Sequence, residues 1–156
     1  MDIKFNFYKT YLEAIRGSAG SNIFRHLYLE MDGVEKDVAE DGELSCTIYV
    51  TWMLKIFNSD QQNIHLIKEA RARVESAVKD LIESGWYEVS DPKPGAIILW
   101  GEHKTKSSLH KHLGFYVGDD KAISHRDYVK SPVEHKLHDE ALGKVEKIFW
   151  HPRLDN

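Results

Sequence analysis

The stretch "CTIYVTWMLKIF", Cys46 to Phe57, decides how the rest of the chain is read. Its apolar residues Ile48, Val50, Trp52, Met53, Leu54, Ile56 and Phe57 are too dense for the alternation of a half-buried strand, and they suit a helix buried on most sides. The preceding "DGELS" is a turn, which places the helix start at Ser45 and makes that residue or its neighbourhood the expected N-cap. The first residue of the helix, Cys46, is the only cysteine in the chain. A lone thiol is most simply a buried structural group. It is a nucleophile only if the fold brings it the partners that a thiolate needs.

Downstream, "NSDQQN" breaks the apolar run, and Val74, Ala77, Val78, Leu81 and Ile82 make the stripe of a second helix, with Gly85 placed to end it. The mixed charges of "KEARAR", 68–73, read as a solvated helix face. Upstream, Phe5, Tyr8, Leu12 and Ile15 recur at helical spacing, and "RGSAGSN", 16–22, ends that N-terminal helix. "LYLEM" and "VEKDV" flank Asp32 and Gly33, a pair suited to a tight hairpin turn. The second half changes character: "GAIILW", "HLGFYVG" and "KAISHR" read as a three-stranded meander, with "GDDK" closing a hairpin and "KVEKIFW" as a further strand. Trp52, Trp86, Trp100 and Trp150 are expected as core or edge packing. Helices first and antiparallel strands later make an α+β order rather than alternating β-α-β units.

The chain of 156 residues has the size of one domain, in which 1–43 forms a helix-and-hairpin extension to a core spanning 44–150. An apolar share of 42 %, a charged share of 29 % and a mean hydropathy of −0.48 are those of a soluble globular protein. A net charge of −4 and a pI near 6.1 provide no basic field for nucleic acid. No stretch is long enough to cross a bilayer, so no membrane partner is expected. One cysteine forms no internal disulfide, and the N-terminal residues lack the apolar run of a signal peptide. The expectation is a cytoplasmic protein, unless a non-standard route exports it.

A free thiol has a pKa of about 8.5, lowered to roughly 3.5–7.5 by a helix N-terminus or a neighbouring imidazolium. Cys46 meets the first condition, since the unpaired N–H groups of a helix start favour negative charge. Among nine histidines, position selects His112, at the head of "HLGFYVG". His125, in the following "KAISHR", can lie beside it on the adjoining strand. Together they supply the base and the orienting group of a nucleophile–base–orienter set. His103, His110 and His112 also suggest a metal, but their segment "HKTKSSLHKH" carries lysines and no acidic residue. It reads instead as a solvated loop beside the cleft, with no metal and no cofactor.

These residues give the chain a resemblance to the NlpC-type papain-like cysteine peptidases of bacterial cell-wall turnover and the related CHAP amidases. The matching pieces are "LSCTIYVTWML", a "GW" after a helix, "PKPGAIILW" and "HKHLGFYVGDDKAISH". They cover about half the chain and occur in the family's order, with the cysteine before the histidine as in the unpermuted branch. Ser45 stands where the family commonly has aspartate, and Ala96 where its Pro-Gly-Asp strand has aspartate. The resemblance implies a papain-like fold in which Cys46 attacks an amide carbonyl, His112 acts as base and then acid, and a polar third residue orients the imidazole. By the family's spacing the third residue falls on Ser124. His125 is the other choice, favoured for its ring nitrogen, although a shift of one residue turns a strand side chain to the opposite face unless a bulge intervenes.

Some members of that family contact substrate through a tyrosine upstream of the nucleophile. Tyr28 holds such a place, although a core role is the simpler reading, and Ser45 and Ser124 are the other candidates for substrate contact. The expected activity is thiolate hydrolysis of a peptide or amide bond through a thioester. Peptidoglycan stem peptides are the substrate class that the resemblance implies. The alternatives are a binding module of the same fold whose site has decayed, and an acyltransferase using the same thioester.

Overall fold

The structure, a computed structural model, describes residues 1–104 and 109–155. Among the described residues three α-helices, α1 (Phe7–Gly17), α2 (Cys46–Phe57) and α3 (Val74–Glu83), accompany eight strands. These are β1 (Tyr28–Met31), β2 (Val34–Asp37), β3 (Tyr87–Glu88), β4 (Ile97–Lys104), β5 (Leu109–Gly118), β6 (Lys121–Arg126), β7 (Ser131–Lys136) and β8 (Val145–Trp150). The class is α+β, with two antiparallel sheets: the β1–β2 hairpin and a six-stranded sheet in the order β3-β8-β4-β5-β6-β7. Among the described residues no helix is long and apolar enough to cross a membrane.

α2 starts and ends where its apolar density implies, and it is buried through Thr47, Ile48, Tyr49, Val50, Thr51, Met53 and Leu54. It lies on β5 and β6. Tyr49 meets Phe115 of β5 edge-on at 5.5 Å between ring centroids. Tyr11 of α1 meets the same phenyl ring at 6.2 Å, so both helices cover one face of the sheet. The hydroxyl of Tyr11 donates to the Gly95 carbonyl (2.7 Å), fastening α1 to the chain just ahead of β4. The buried stripe of α1 is Phe7, Tyr11, Leu12 and Ile15. Phe5 precedes the helix and is exposed, because α1 begins only after the Asn6 side chain has capped Lys9 N.

The expected meander is present as β4-β5-β6, extended on one side by β7 and on the other by β8 and β3. Asp119 and Asp120, at φ 53° and 55°, form the two-residue turn that joins Gly118 to Lys121. The flanks of "HKTKSSLHKH" are strand rather than loop: His103 and Lys104 close β4, and Leu109 to His112 open β5. The 105–108 part of that expected loop lies outside the described residues. Asp32 and Gly33, at φ 52° and 78°, turn the β1–β2 hairpin as expected. That hairpin is exposed throughout β1, and Tyr28 stands 59 % exposed, which corrects its assignment to the core. Trp86, Trp100 and Trp150 are buried, and Trp52 is half-buried against Phe24.

"KEARAR" is not a helix face. It is the irregular link into α3, and it is held by one carboxylate. Asp80, 1 % exposed, accepts from Lys68 N, Glu69 N, Arg71 Nε and Ser84 Oγ at 3.0, 3.2, 2.9 and 3.0 Å. Burial works against ionisation of this acid. The four donors outweigh it and hold the pKa below the usual aspartate value.

Candidate active site

The site forms where the sheet opens. β5 and β6 pair at Gly118↔Lys121, Tyr116↔Ala122 and Phe115↔Ile123, and there their ladder ends. Further along, His112, Leu113 and Gly114 stay with β4, while Ser124, His125 and Arg126 pair with β7. In an antiparallel strand, successive N–H groups point to opposite sides. Tyr116 N donates toward β4, to the Ala96 carbonyl, so Phe115 and Leu113 direct theirs toward β6. With no β6 partner at that level, the Leu113 N–H is directed at the Cys46 sulfur.

Cys46 is the first residue of α2 and is half-buried. Its own N–H and that of Thr47 also favour the thiolate, and the Thr47 hydroxyl lies 3.7 Å from Sγ. Burial is the larger influence, and it raises the thiol above its ordinary pKa. Ser45 does not cap α2. At φ −103° and ψ 4° it lacks the extended backbone that swings a capping hydroxyl over the first turn, and its Oγ is buried without a partner.

His112 is 6 % exposed, 5.6 Å by ring centroids from Trp100, its partner across the β4–β5 ladder, and 5.6 Å from His103. Its Nε2 is buried without a hydrogen bond. Burial first, and then the nearby Arg126, His103, His135 and His125, keep its pKa well below the usual histidine value. The ring is therefore neutral at pH 7 and able to take a proton. Among the described residues neither His112 nor His125 is hydrogen-bonded to the Cys46 sulfur.

Alternation separates the two candidates for the third residue. A Cβ added at Gly114 would lie 2.7 Å from Ser124 Cβ and 3.0 Å from Trp100, so Gly114, Ser124, Trp100 and His112 share one face. His125 is on the other face with Phe115 and Ile123. Its ring is 6.4 Å from Tyr49 of α2, and neither ring nitrogen has a partner. Burial, followed by the charge of Arg25, brings its pKa down to about 4. Ser124 is fully buried, and its hydroxyl lies 2.6 Å from His135 Nε2 on β7. Tyr28, on the exposed hairpin, stacks on His26 at 5.9 Å.

The sequence reading did not single out His135. Its strand holds Pro132, which weakens a strand pattern but is tolerated at an edge, and β7 is the edge strand here. Among the described residues no three His, Cys, Asp or Glu side chains gather as a metal site would require. No family model matches the chain, and no curated protein matches it in sequence.

Proposed function

We propose that the protein is a cysteine hydrolase of peptide or amide bonds, with a papain-like NlpC-type arrangement of Cys46 and His112. The observation that carries this reading is the Leu113 N–H directed at the Cys46 sulfur. It puts the start of α2 against β5, one residue from His112, at the point where the β5–β6 ladder opens. The order of the motifs, which resembles that family, supports the same assignment.

In this reading a neutral His112 takes the Sγ proton as the sulfur attacks the carbonyl carbon, and the carbonyl electrons move onto oxygen. The tetrahedral intermediate collapses to a thioester as the C–N bond breaks, and His112 returns its proton to the departing amine. Water, deprotonated by the same ring, then cleaves the thioester and restores the thiol. Backbone N–H groups at the start of α2 contribute to the oxyanion site, where a donor is worth about 3 kcal/mol. Peptidoglycan stem peptides are the proposed substrate class.

The half-buried, neutral thiol, with no histidine bonded to it among the described residues, favours a second reading, a binding module that retains the architecture without turnover. Incubation with isolated stem peptides and with p-nitrophenyl acetate, read by mass spectrometry, separates the two. The hydrolase cleaves stem peptides and carries a transient acetyl group on Cys46, and Cys46→Ala and His112→Ala lose both. Acetylation without peptide cleavage would refute the substrate class, and no acetylation of Cys46 would refute the hydrolase.

A further inference from the structure

We infer that His135 is a positioning residue of this site, acting on His112 through the Ser124 hydroxyl. The inference rests on the hydrolase reading of Cys46 and His112.

The hydrogen-bond directions carry the argument. His135 Nδ1 lies 2.8 Å from the Lys136 carbonyl and 3.8 Å from the Asp139 carboxylate, both acceptors, so Nδ1 bears the ring proton. The Nε2 of the neutral ring is then bare. It accepts the Ser124 hydroxyl proton across 2.6 Å. A serine hydroxyl has one proton and two lone pairs. With its proton committed to His135, Ser124 has only acceptor capacity left, on the face of the sheet that also holds His112 and the ring of Trp100.

That is the capacity His112 needs when it takes the thiol proton. The neighbours that weigh most on its ring are all basic: Arg126, His103, His135 and His125. Asp139, beside His135, is already engaged by Arg126 at 3.0 Å and by Ala141 N at 2.9 Å. A buried imidazolium without an acceptor is costly. Among the described residues His112 Nε2 has no partner, and the oriented Ser124 oxygen is the acceptor on the same face that a protonated His112 would take, favouring the tautomer that donates toward β6 and leaves the other ring nitrogen as the base. Ser124 has no imidazole of its own, and β7 brings that of His135 to its hydroxyl.

The test uses the full chain and p-nitrophenyl acetate, following p-nitrophenolate release in the native protein and in His135→Leu, His135→Gln and His112→Ala, with melting curves for each. His135→Leu is expected to lose about tenfold in acylation rate, the effect of one hydrogen bond to a charged group. His135→Gln is expected to recover most of it, because an amide both accepts from Ser124 and donates to the carbonyl. Equal rates in His135→Leu and the native chain, with His112→Ala impaired, overturn the inference and leave the hydrolase reading standing. Equal losses in the Leu and Gln variants also overturn it, showing a packing role. An unimpaired His112→Ala overturns the hydrolase reading together with the inference. Nitrogen-15 chemical shifts of the imidazoles in the native chain provide a check that needs no variant: a proton on His135 Nε2 instead of Nδ1 overturns the inference.

Discussion

The main-chain N–H of Leu113 is directed at the Cys46 sulfur in the place where an unbroken ladder would offer it a β6 carbonyl. A strand donor left over by the opening of the sheet thus joins two donors from the start of a helix. All three favour the thiolate, and burial of the sulfur opposes them and prevails.

One consequence concerns the pH dependence of the thiol. Because the raised pKa means that the neutral form predominates at pH 7, iodoacetamide should modify Cys46 slowly there. The rate should climb only at pH values above the titration of a free cysteine, about 8.5. A profile with its midpoint on the acid side of that value would show that a thiolate–imidazolium pair exists before substrate arrives.

Stability should fall in two acid stages. His112, His125 and His135 all have folded pKa values below that of an unfolded histidine, and His125 is brought to about 4. Their contribution is complete above pH ~6.5 and is lost as the pH falls through the folded values, since the unfolded chain then binds more protons. His125 accounts for roughly 2 to 3 kcal/mol of this loss. Asp37 acts lower. Burial opposes its ionisation, but His26 and the N–H groups of Leu27, Asp41 and Ala39 hold it at about 2, so its contribution disappears between pH ~4 and that value. Urea denaturation at pH 7, 5 and 4 measures the first stage, and His125→Phe should flatten part of it. An unchanged acid limb in that variant would refute the assignment to His125.

Removal of Asp80 should loosen the link into α3 without touching the sheet. Asp80→Ala leaves two main-chain N–H groups, the Ser84 hydroxyl and the Arg71 guanidinium without their shared acceptor. The expected loss is about 3 kcal/mol in urea unfolding. A loss below about 1 kcal/mol would mean that water replaces the carboxylate at little cost.

Gly114 is held to glycine by close approach. An added methyl group would meet Ser124 Cβ at 2.7 Å, the Ile123 carbonyl at 2.8 Å and Trp100 at 3.0 Å. Gly114→Ala should therefore force β5 from β6 and cost about 2 kcal/mol, the usual scale of overpacking, with a larger proportional loss of acylation by p-nitrophenyl acetate than of stability. Unchanged melting and unchanged acylation together would show that the opening between the strands already has slack.

The sequence alone determined the elements whose signals are local. α2 was legible because its apolar residues exceed what one face of a strand can hold, and the turns at Asp32-Gly33 and Asp119-Asp120 because few residue types accept positive φ. Which side chains meet across the sheet was decided only by the tertiary structure. Had the pairing of Gly118 with Lys121 run on unbroken, His125 would share the face of His112. An irregularity between Tyr116 and Gly118 shifts the register by one residue and puts Ser124 there instead. The meeting of His135 with Ser124 depends on the pairing of β7 with β6, and the gathering of 68–71 around Asp80 depends on how that link packs against α3. These are contacts between segments whose own sequence patterns carry no record of the partner, because a strand edge or a buried carboxylate accepts any donor that the fold delivers.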